Sequence, residues 1–386
     1  MLGRRTSWLA LFAVACSAPQ PRLATPPAST DAICRAAAPV HAPARLPISI
    51  YSAPVDRFAE LAASGVTTVG PYYGEPPDLT LLDAAHEAGL GVLYPVGFED
   101  ADLGANRGKD LKAQVDAVVD HQAVVGWYAL PEEVRPWVAS DLAYLAELRR
   151  AVHEADPRRR PLLSYQPNHR RRDELATASA SFDVVTRGLY ANFVGLGTQR
   201  AWVREGTRTI AAAATETQQA WAVLEMFEEP ADADPARIDA WVRHDVYASL
   251  LGGARGVMVF SGWARPGFPS YATYLAAYLR VFAELNGPQA LATPFLVGKP
   301  DGHASVRVLA GPASVPLGSR RVASVQSRRF LLEQTVWTYV VNSAEVDVTV
   351  KLDSPCPATS VVGPPLREGT LRMPPLGVAV LRAPAL

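Results

Sequence analysis

The chain has 386 residues and a mass of 41.4 kDa, more than one small domain needs and enough for a large domain with a smaller one. Hydrophobic residues make up 49% and charged residues 19%, which supports a sizeable core and excludes global disorder. Lys+Arg 37 against Asp+Glu 38 leaves a formal net charge of -1, and nearly all the positive charge is Arg. Such a balance argues against a nucleic-acid binder, whose affinity needs concentrated positive charge.

The N-terminus reads as a secretory signal. Arg4 and Arg5 precede a short apolar run from Trp8 to Ala15, followed by Cys16. That run is too short to span a bilayer as a mature helix. Ala13-Val14-Ala15-Cys16 resembles a bacterial lipobox, with Ala13 where Leu is usual. The resemblance implies that residues 1–16 are a lipoprotein signal segment in which Cys16 is lipidated, so that only the lipid touches the membrane. Ser17, rather than Asp, then implies an outer-membrane or cell-surface lipoprotein. Cleavage without lipid is the alternative, leaving a periplasmic or secreted protein. Residues 17–45 are a Pro/Ala-rich tether, in which Pro19, Pro21, Pro26, Pro27, Pro39 and Pro43 favour a semi-rigid spacer. Beyond Cys16 the chain has Cys34 and Cys356, which an exported protein can pair as a disulfide or leave as two thiols.

From residue 46 a strand pattern and a helix pattern alternate. The predicted strands are Ile48–Tyr51, Val66–Tyr73, Leu90–Phe98, Val124–Ala129, Pro161–Tyr165, Phe182–Tyr190, Trp221–Phe227 and Val257–Phe260. The predicted helices between them include Pro54–Ala63, Asp78–Ala88, Leu111–His121, Ala139–Glu154, Ala236–Leu251 and Tyr271–Leu285. Alternation of this kind forces parallel strands with helices outside. Eight units in roughly 240 residues is the size of a closed (β/α)8 barrel, placed at 46–288. An open doubly wound sheet is the alternative, weakened because no Gly-rich dinucleotide fingerprint opens the first unit. After Asn286-Gly287-Pro288 the period changes to two, along Val306–Leu309, Thr335–Asn342, Val346–Leu352 and Gly377–Arg382. Residues 289–386 therefore read as a small antiparallel β-sandwich.

Barrel chemistry sits at the C-terminal ends of the strands. Strand four ends in Gly126-Trp127-Tyr128-Ala129-Leu130-Pro131-Glu132-Glu133, and adjacent carboxylates there are costly to bury unless used or paired. Strand seven reads Trp221-Ala222-Val223-Leu224-Glu225-Met226-Phe227, and burial in that apolar run raises the pKa of Glu225. Strands four and seven stand almost opposite each other across a barrel mouth. Two carboxylates so placed suit glycoside hydrolysis, in which one protonates the leaving oxygen and the other attacks or activates water.

This arrangement resembles the clan A (β/α)8-barrel glycoside hydrolases, which carry an acid/base Glu after strand four and a nucleophile Glu after strand seven. The Gly126-Trp127-Tyr128…Glu132 box, the Asp156-Pro157…Arg160-Pro161 link and Gly252-Gly253-Ala254-Arg255-Gly256 also resemble poorly characterised glycosidase-like barrels. The resemblance spans roughly residues 46–285. It implies Glu132 as acid/base, with Glu133 as the rival in register, and Glu225 as nucleophile of a retaining enzyme. It also implies a Tyr that hydrogen-bonds the nucleophile, for which Tyr190 is the candidate; an ordinary aromatic of the barrel rim is the alternative reading of Tyr190. The family has Asn directly before the acid/base, where this chain has Pro131.

Trp263 after strand eight, and Tyr72, Tyr73, Tyr128 and Tyr165 at strand ends, are aromatic candidates for packing against sugar, and Asn168 and Gln166 are candidates for binding hydroxyls. Glu99 and Asp100 read as a solvated acidic loop, Glu228 and Glu229 as another unless one of them replaces Glu225, and His169 with Arg170, Arg171 and Arg172 as a surface charge run. The seven His are scattered, with no metal-ligand spacing. No nucleophile elbow or phosphate loop appears, so no cofactor is expected. The expected function is cleavage of a glycosidic bond in a polysaccharide or oligosaccharide at the cell envelope. The alternatives are a surface lipoprotein whose barrel binds glycan without cleaving it, which Pro131 favours, and a scaffold contacting envelope proteins through the sandwich.

Overall fold

A computed structural model of the chain describes residues 44–72, 76–98, 110–132, 134–193, 199–302, 306–353 and 356–385. Cys16, Cys34, Tyr73, Glu99, Asp100 and Glu133 lie outside the described residues, as do the signal segment and nearly all of the tether.

Eight parallel strands close into a barrel: β1 (Ile48–Ile50), β2 (Thr68–Val69), β3 (Gly91–Val96), β4 (Val124–Ala129), β5 (Leu162–Ser164), β6 (Val184–Leu189), β7 (Gln219–Glu225) and β8 (Gly256–Phe260). Closure is made by β8 on β1, with Ile48 opposite Val257 and Ile50 opposite Val259. Around the barrel run α1 (Phe58–Ala63), α2 (Leu79–Glu87), α3 (Leu111–Asp116), α4 (Ala139–Ala155), α5 (Arg172–Ala178), α6 (Ala201–Ala213), α7 (Pro235–Gly252) and α8 (Tyr271–Asn286). Local signals set several helix limits. Asp78, Asp110 and Asp234 each accept backbone N–H bonds at the starts of α2, α3 and α7, and Pro235 opens α7. Gly253 ends α7 in the left-handed region, at φ 108°, where a side chain would strain the turn.

Many elements differ at their ends from the sequence expectation, and three departures change the layout. The second strand pairs over Thr68–Val69 alone, because Gly70 turns to φ 95° and Pro71 has no N–H for the ladder. The first helix opens with a 3-10 turn over Val55–Arg57 before α1. The segment expected to begin the sandwich first forms a short helix, α9 (Thr293–Val297), before any strand.

The sandwich strands follow in chain order: β9 (Lys299–Pro300), β10 (Val306–Ala310), β11 (Ser314–Leu317), β12 (Arg320–Ala323), β13 (Val325–Leu332), β14 (Thr335–Asn342), β15 (Val348–Leu352), β16 (Thr359–Val362), β17 (Thr370–Met373) and β18 (Val378–Pro384). They form an antiparallel sheet in the order β16-β18-β14-β13-β9, a second in the order β10-β15-β17, and the hairpin β11-β12. One face of the larger sheet shares its core with the barrel. Phe330, Tyr339, Val341, Val378 and Val380 belong to the same apolar cluster as Tyr247 and Phe295. The Tyr339 phenol donates to the Leu291 carbonyl at 2.8 Å, and its ring lies 4.0 Å from Phe295.

The Asp156…Arg160 link has a physical role beneath β4. Asp156 is fully buried and accepts from the Trp127 indole at 2.9 Å and from the Arg160 side chain at 2.9 Å. Arg160 then donates to the Val124 carbonyl at 2.9 Å, so one ion pair ties the strand of the Gly-Trp-Tyr box to the connection entering β5. Burial raises the Asp156 pKa, but the Arg160 and Trp127 bonds outweigh it and hold the carboxyl well below the usual carboxylate range. Gly126 is needed at its place, since a Cβ there would lie 2.8 Å from Leu93 Cδ2.

Candidate active site

The upper interior of the barrel is aromatic. Tyr51 just past β1 meets Tyr128 of β4 edge-on at 5.8 Å and Phe260 of β8 at 5.4 Å. Phe260 lies 6.1 Å from Tyr190 just past β6, and Tyr190 stacks on Tyr165 just past β5 at 6.1 Å and 12°. Tyr165 returns to Tyr128 through its backbone N–H, 3.2 Å from the phenol oxygen. The five rings form a circuit under the C-terminal mouth. Gly188 makes the Tyr165 placement feasible, because a Cβ there would sit 2.5 Å from the Tyr165 hydroxyl.

Glu132 is half-buried above this layer and accepts a hydrogen bond from the Tyr128 phenol. The polarity of the network follows from the chemistry of one hydroxyl. The Tyr128 oxygen accepts from the Tyr165 N–H, and its one hydrogen goes to Glu132, so the Tyr51 hydroxyl, 3.1 Å away, must be a donor to it. Burial and then the nearby Glu132 charge push the Tyr51 phenol well above its ordinary pKa.

Glu225 ends β7 and is buried, with its carboxylate turned to the loop after β6. The Asn192 N–H reaches its two oxygens at 3.1 and 3.0 Å, and the Phe193 N–H lies at 3.5 Å. The fully buried Arg200 lies 3.7 Å from it, donates to the Asn192 side-chain oxygen at 2.7 Å, and pairs closely with Asp245 of α7. Burial pushes the Glu225 carboxyl up to about 7; Arg200 and the backbone N–H donors oppose that rise, and Asp245 adds to it. Asp245 accepts from His244 at 2.8 Å, and the other His244 nitrogen meets Ser343 of the sandwich at 2.8 Å. Glu225 lines a pocket of ≈ 380 Å³ together with Asn192, Phe193, Phe227, Glu228 and Tyr274.

The structure thus brings Tyr128 and Tyr165 to Glu132, and puts Tyr190 in the same aromatic circuit. The segment after β6 does reach the strand-seven carboxylate, through the N–H groups of Asn192 and Phe193. Trp263 is half-buried, packs edge-on to Phe260 at 5.6 Å and carries the Arg265 guanidinium 4.0 Å from its ring centroid. Tyr72 is tied by its hydroxyl to the Ala53 carbonyl at 2.8 Å. The Asn168 backbone carbonyl accepts from the Arg187 side chain at 3.0 Å, and Gln166 is fully buried with no hydrogen-bond partner for its side-chain amide among the described residues. Cys356 is buried and disulfide-bonded; the two other cysteines of the chain, Cys16 and Cys34, lie outside the described residues.

Two readings need correction. Arg170 is not part of a surface charge run: it is buried, donates to the Val134 carbonyl and lies under the Trp137 ring. Glu229 is not simply solvated, since it accepts from the Ser270 N–H at 2.9 Å and hydroxyl at 2.7 Å. Sequence reading missed Arg200, Asp245, Arg265 and Trp137. Only Trp137, in Arg135-Pro136-Trp137 directly after the carboxylates, carried a signal that could have found it. Among the described residues no three His, Cys, Asp or Glu side chains gather closely enough to hold a metal ion, and no helix is long and apolar enough to cross a membrane.

No family model matches the sequence, and no curated protein matches it. Solved structures do match the fold. Among them is an α-amylase from Geobacillus thermoleovorans complexed with acarbose, at 8% identity and TM-score 0.55, covering 88% of this chain and 98% of that one. A glycoside hydrolase family 5 protein from Bacteroides vulgatus ATCC 8482 matches at 12% identity and TM-score 0.55, over 88% of this chain and 89% of that one. AmyP in complex with maltose matches at 10% identity and TM-score 0.54, over 85% and 88%. The architecture shared with these structures is a closed (β/α)8 barrel followed by a β-sandwich-like domain. At these identities the likeness establishes the fold.

Proposed function

We propose that this chain hydrolyses a glycosidic bond in a polysaccharide or oligosaccharide, with Glu132 as acid/base and Glu225 as the second carboxylate. The observation that carries this reading is a half-buried Glu132 at the barrel mouth, oriented by Tyr128 over a floor of aromatic rings. The partly exposed rings of this layer, Tyr165, Phe260 and Trp263, suit the C–H faces of sugars, and the carboxyl group supplies proton transfer to and from the glycosidic oxygen. Burial raises the Glu225 carboxyl to about 7, and Arg200 with the Asn192 and Phe193 N–H groups opposes that rise, so the ionised form a nucleophile needs is reached as pH rises through that value. Support also comes from the similar structures, which include maltose and acarbose complexes and a family 5 glycoside hydrolase. The test is turnover of a polysaccharide panel by wild type, Glu132→Gln and Glu225→Gln, with the anomer of the first product read by NMR. We expect Glu132→Gln to lose roughly 10²- to 10⁴-fold in rate. Retained configuration assigns attack to a carboxylate, and inversion assigns it to water. Unchanged turnover in both variants overturns the assignment.

A second reading is a barrel that binds glycan without cleaving it. It is favoured by Pro131 before Glu132 and by the pairing that engages Glu225 with Arg200. Binding without product from any glycan of the panel would establish it in place of the first. We also propose that the protein is held at the envelope by a lipid on Cys16, which rests on the sequence before that residue. A diacylglycerol mass on the N-terminal peptide, lost in Cys16→Ser, tests it; an unmodified N-terminus overturns it.

A further inference from the structure

We propose that the indole of Trp137 is a second sugar-binding platform, which takes a pyranose ring of the glycan beyond the bond addressed by Glu132. This rests on the glycan reading of the mouth and adds a residue to it. Trp137 is 70% exposed, an expensive position for the largest apolar side chain. It is nevertheless held in one place. The Val138 N–H bonds the Arg135 carbonyl at 2.9 Å, which closes a four-residue turn with Pro136 at its second position and Trp137 at its third. The turn is clamped from behind. Arg135 donates to the two oxygens of the fully buried Asp141 at 2.8 Å each, and its backbone N–H bonds the same carboxylate at 3.0 Å. Arg170 is itself buried, anchored on the Val134 carbonyl, and puts its guanidinium 5.4 Å from the Trp137 ring centroid.

A ring whose motion is restrained from below, with most of its surface open to water, is pre-organised for a flat ligand, because little freedom is left to lose on binding. The loop that carries it is the one that leaves β4, five positions past Glu132, at the barrel end where substrates bind. Its neighbours in the turn are Arg135, Pro136 and the half-buried Val138, and the group that faces its ring is the Arg170 guanidinium. A cation against the ring sets polar chemistry beside it, which suits a partner that carries hydroxyls. A sugar offers what this setting accepts: a C–H face for the ring and hydroxyls for the surrounding polar groups.

The experiment is calorimetric titration of the full chain, wild type, Trp137→Ala and Trp137→Phe, with maltoheptaose, cellohexaose and xylohexaose, alongside turnover of the parent polysaccharides. Because the indole is exposed, both variants should melt with the wild type. Wild type should bind at least one of the three, Trp137→Ala should raise its Kd by about tenfold, and Trp137→Phe should restore most of the loss. Equal affinity of wild type and Trp137→Ala, with turnover that still depends on Glu132, overturns the platform and leaves the hydrolase reading standing. A loss in Trp137→Ala without turnover in any variant supports the platform and removes the hydrolase. No binding and no turnover by the wild type overturns both.

Discussion

Glu225 holds its proton more tightly in the folded chain than in the unfolded one. Its carboxyl is pushed from the ordinary 4.5 to about 7, chiefly by burial. Between those values the native state binds a proton that the unfolded state has released. The stabilisation is therefore fully present below pH 4.5 and is lost as pH rises through about 7, with an upper bound of about 3 kcal/mol. Urea unfolding at pH 4.5 and pH 7.5 should show wild type losing stability relative to Glu225→Gln across that range. Parallel pH dependences would contradict it. At this scale the sequence was legible where chemistry is local. A Glu inside the apolar run Trp221–Phe227 announces a perturbed carboxyl, and Glu132 follows directly from the aromatic strand before it. Arg200 was not legible, because its partners Glu225 and Asp245 come from elements 25 and 45 positions away and nothing near it in the chain marks the pairing.

Elements report a different kind of information. Eight strands emerged from period and composition because parallel strands covered on both faces are apolar along their length. The extents were less clear, since ladder pairing depends on backbone groups that side-chain patterns do not encode. The second strand stops where Gly70 and Pro71 intervene, although the apolar run goes on to Tyr73. The link between α4 and β5 is the element-level feature with the most at stake. Asp156 joins Trp127 and Arg160 in a fully buried set, so removing its charge leaves Arg160 uncompensated. Asp156→Ala should cost about 3–5 kcal/mol in chemical unfolding. The Asp156 carboxyl is held below its ordinary value, so its contribution is present above the usual carboxylate range and is lost as pH falls through it. A variant as stable as wild type at pH 7 would show that the pair merely fills space.

At the scale of the molecule, the boundary read near residue 288 marks a change of period and does not mark an independent unit. Phe330, Tyr339, Val341, Val378 and Val380 of the sandwich share one apolar cluster with residues of the barrel and its helices. His244 of α7 also spends one nitrogen on Ser343 and the other on Asp245. Barrel and sandwich should therefore unfold together. Calorimetry should give one transition, and a chain ended after Gly298 should be recovered aggregated or unfolded. Two separated transitions, or a soluble truncated barrel, would refute that coupling.

The pairing of β1 with β8 has a consequence in time. Ile48 waits for Val257, and the Asn286 side chain holds both the Leu46 N–H, at 2.8 Å, and the Gly65 carbonyl, at 2.8 Å. The first strand thus has no second neighbour until most of the chain has been made. Contacts so distant in sequence form slowly, because a long loop must close before they are rewarded. During synthesis at about 5–20 residues per second, the barrel stays open for many seconds after β1 has left the ribosome. The circular closure of this sheet thus builds the delay into the topology itself.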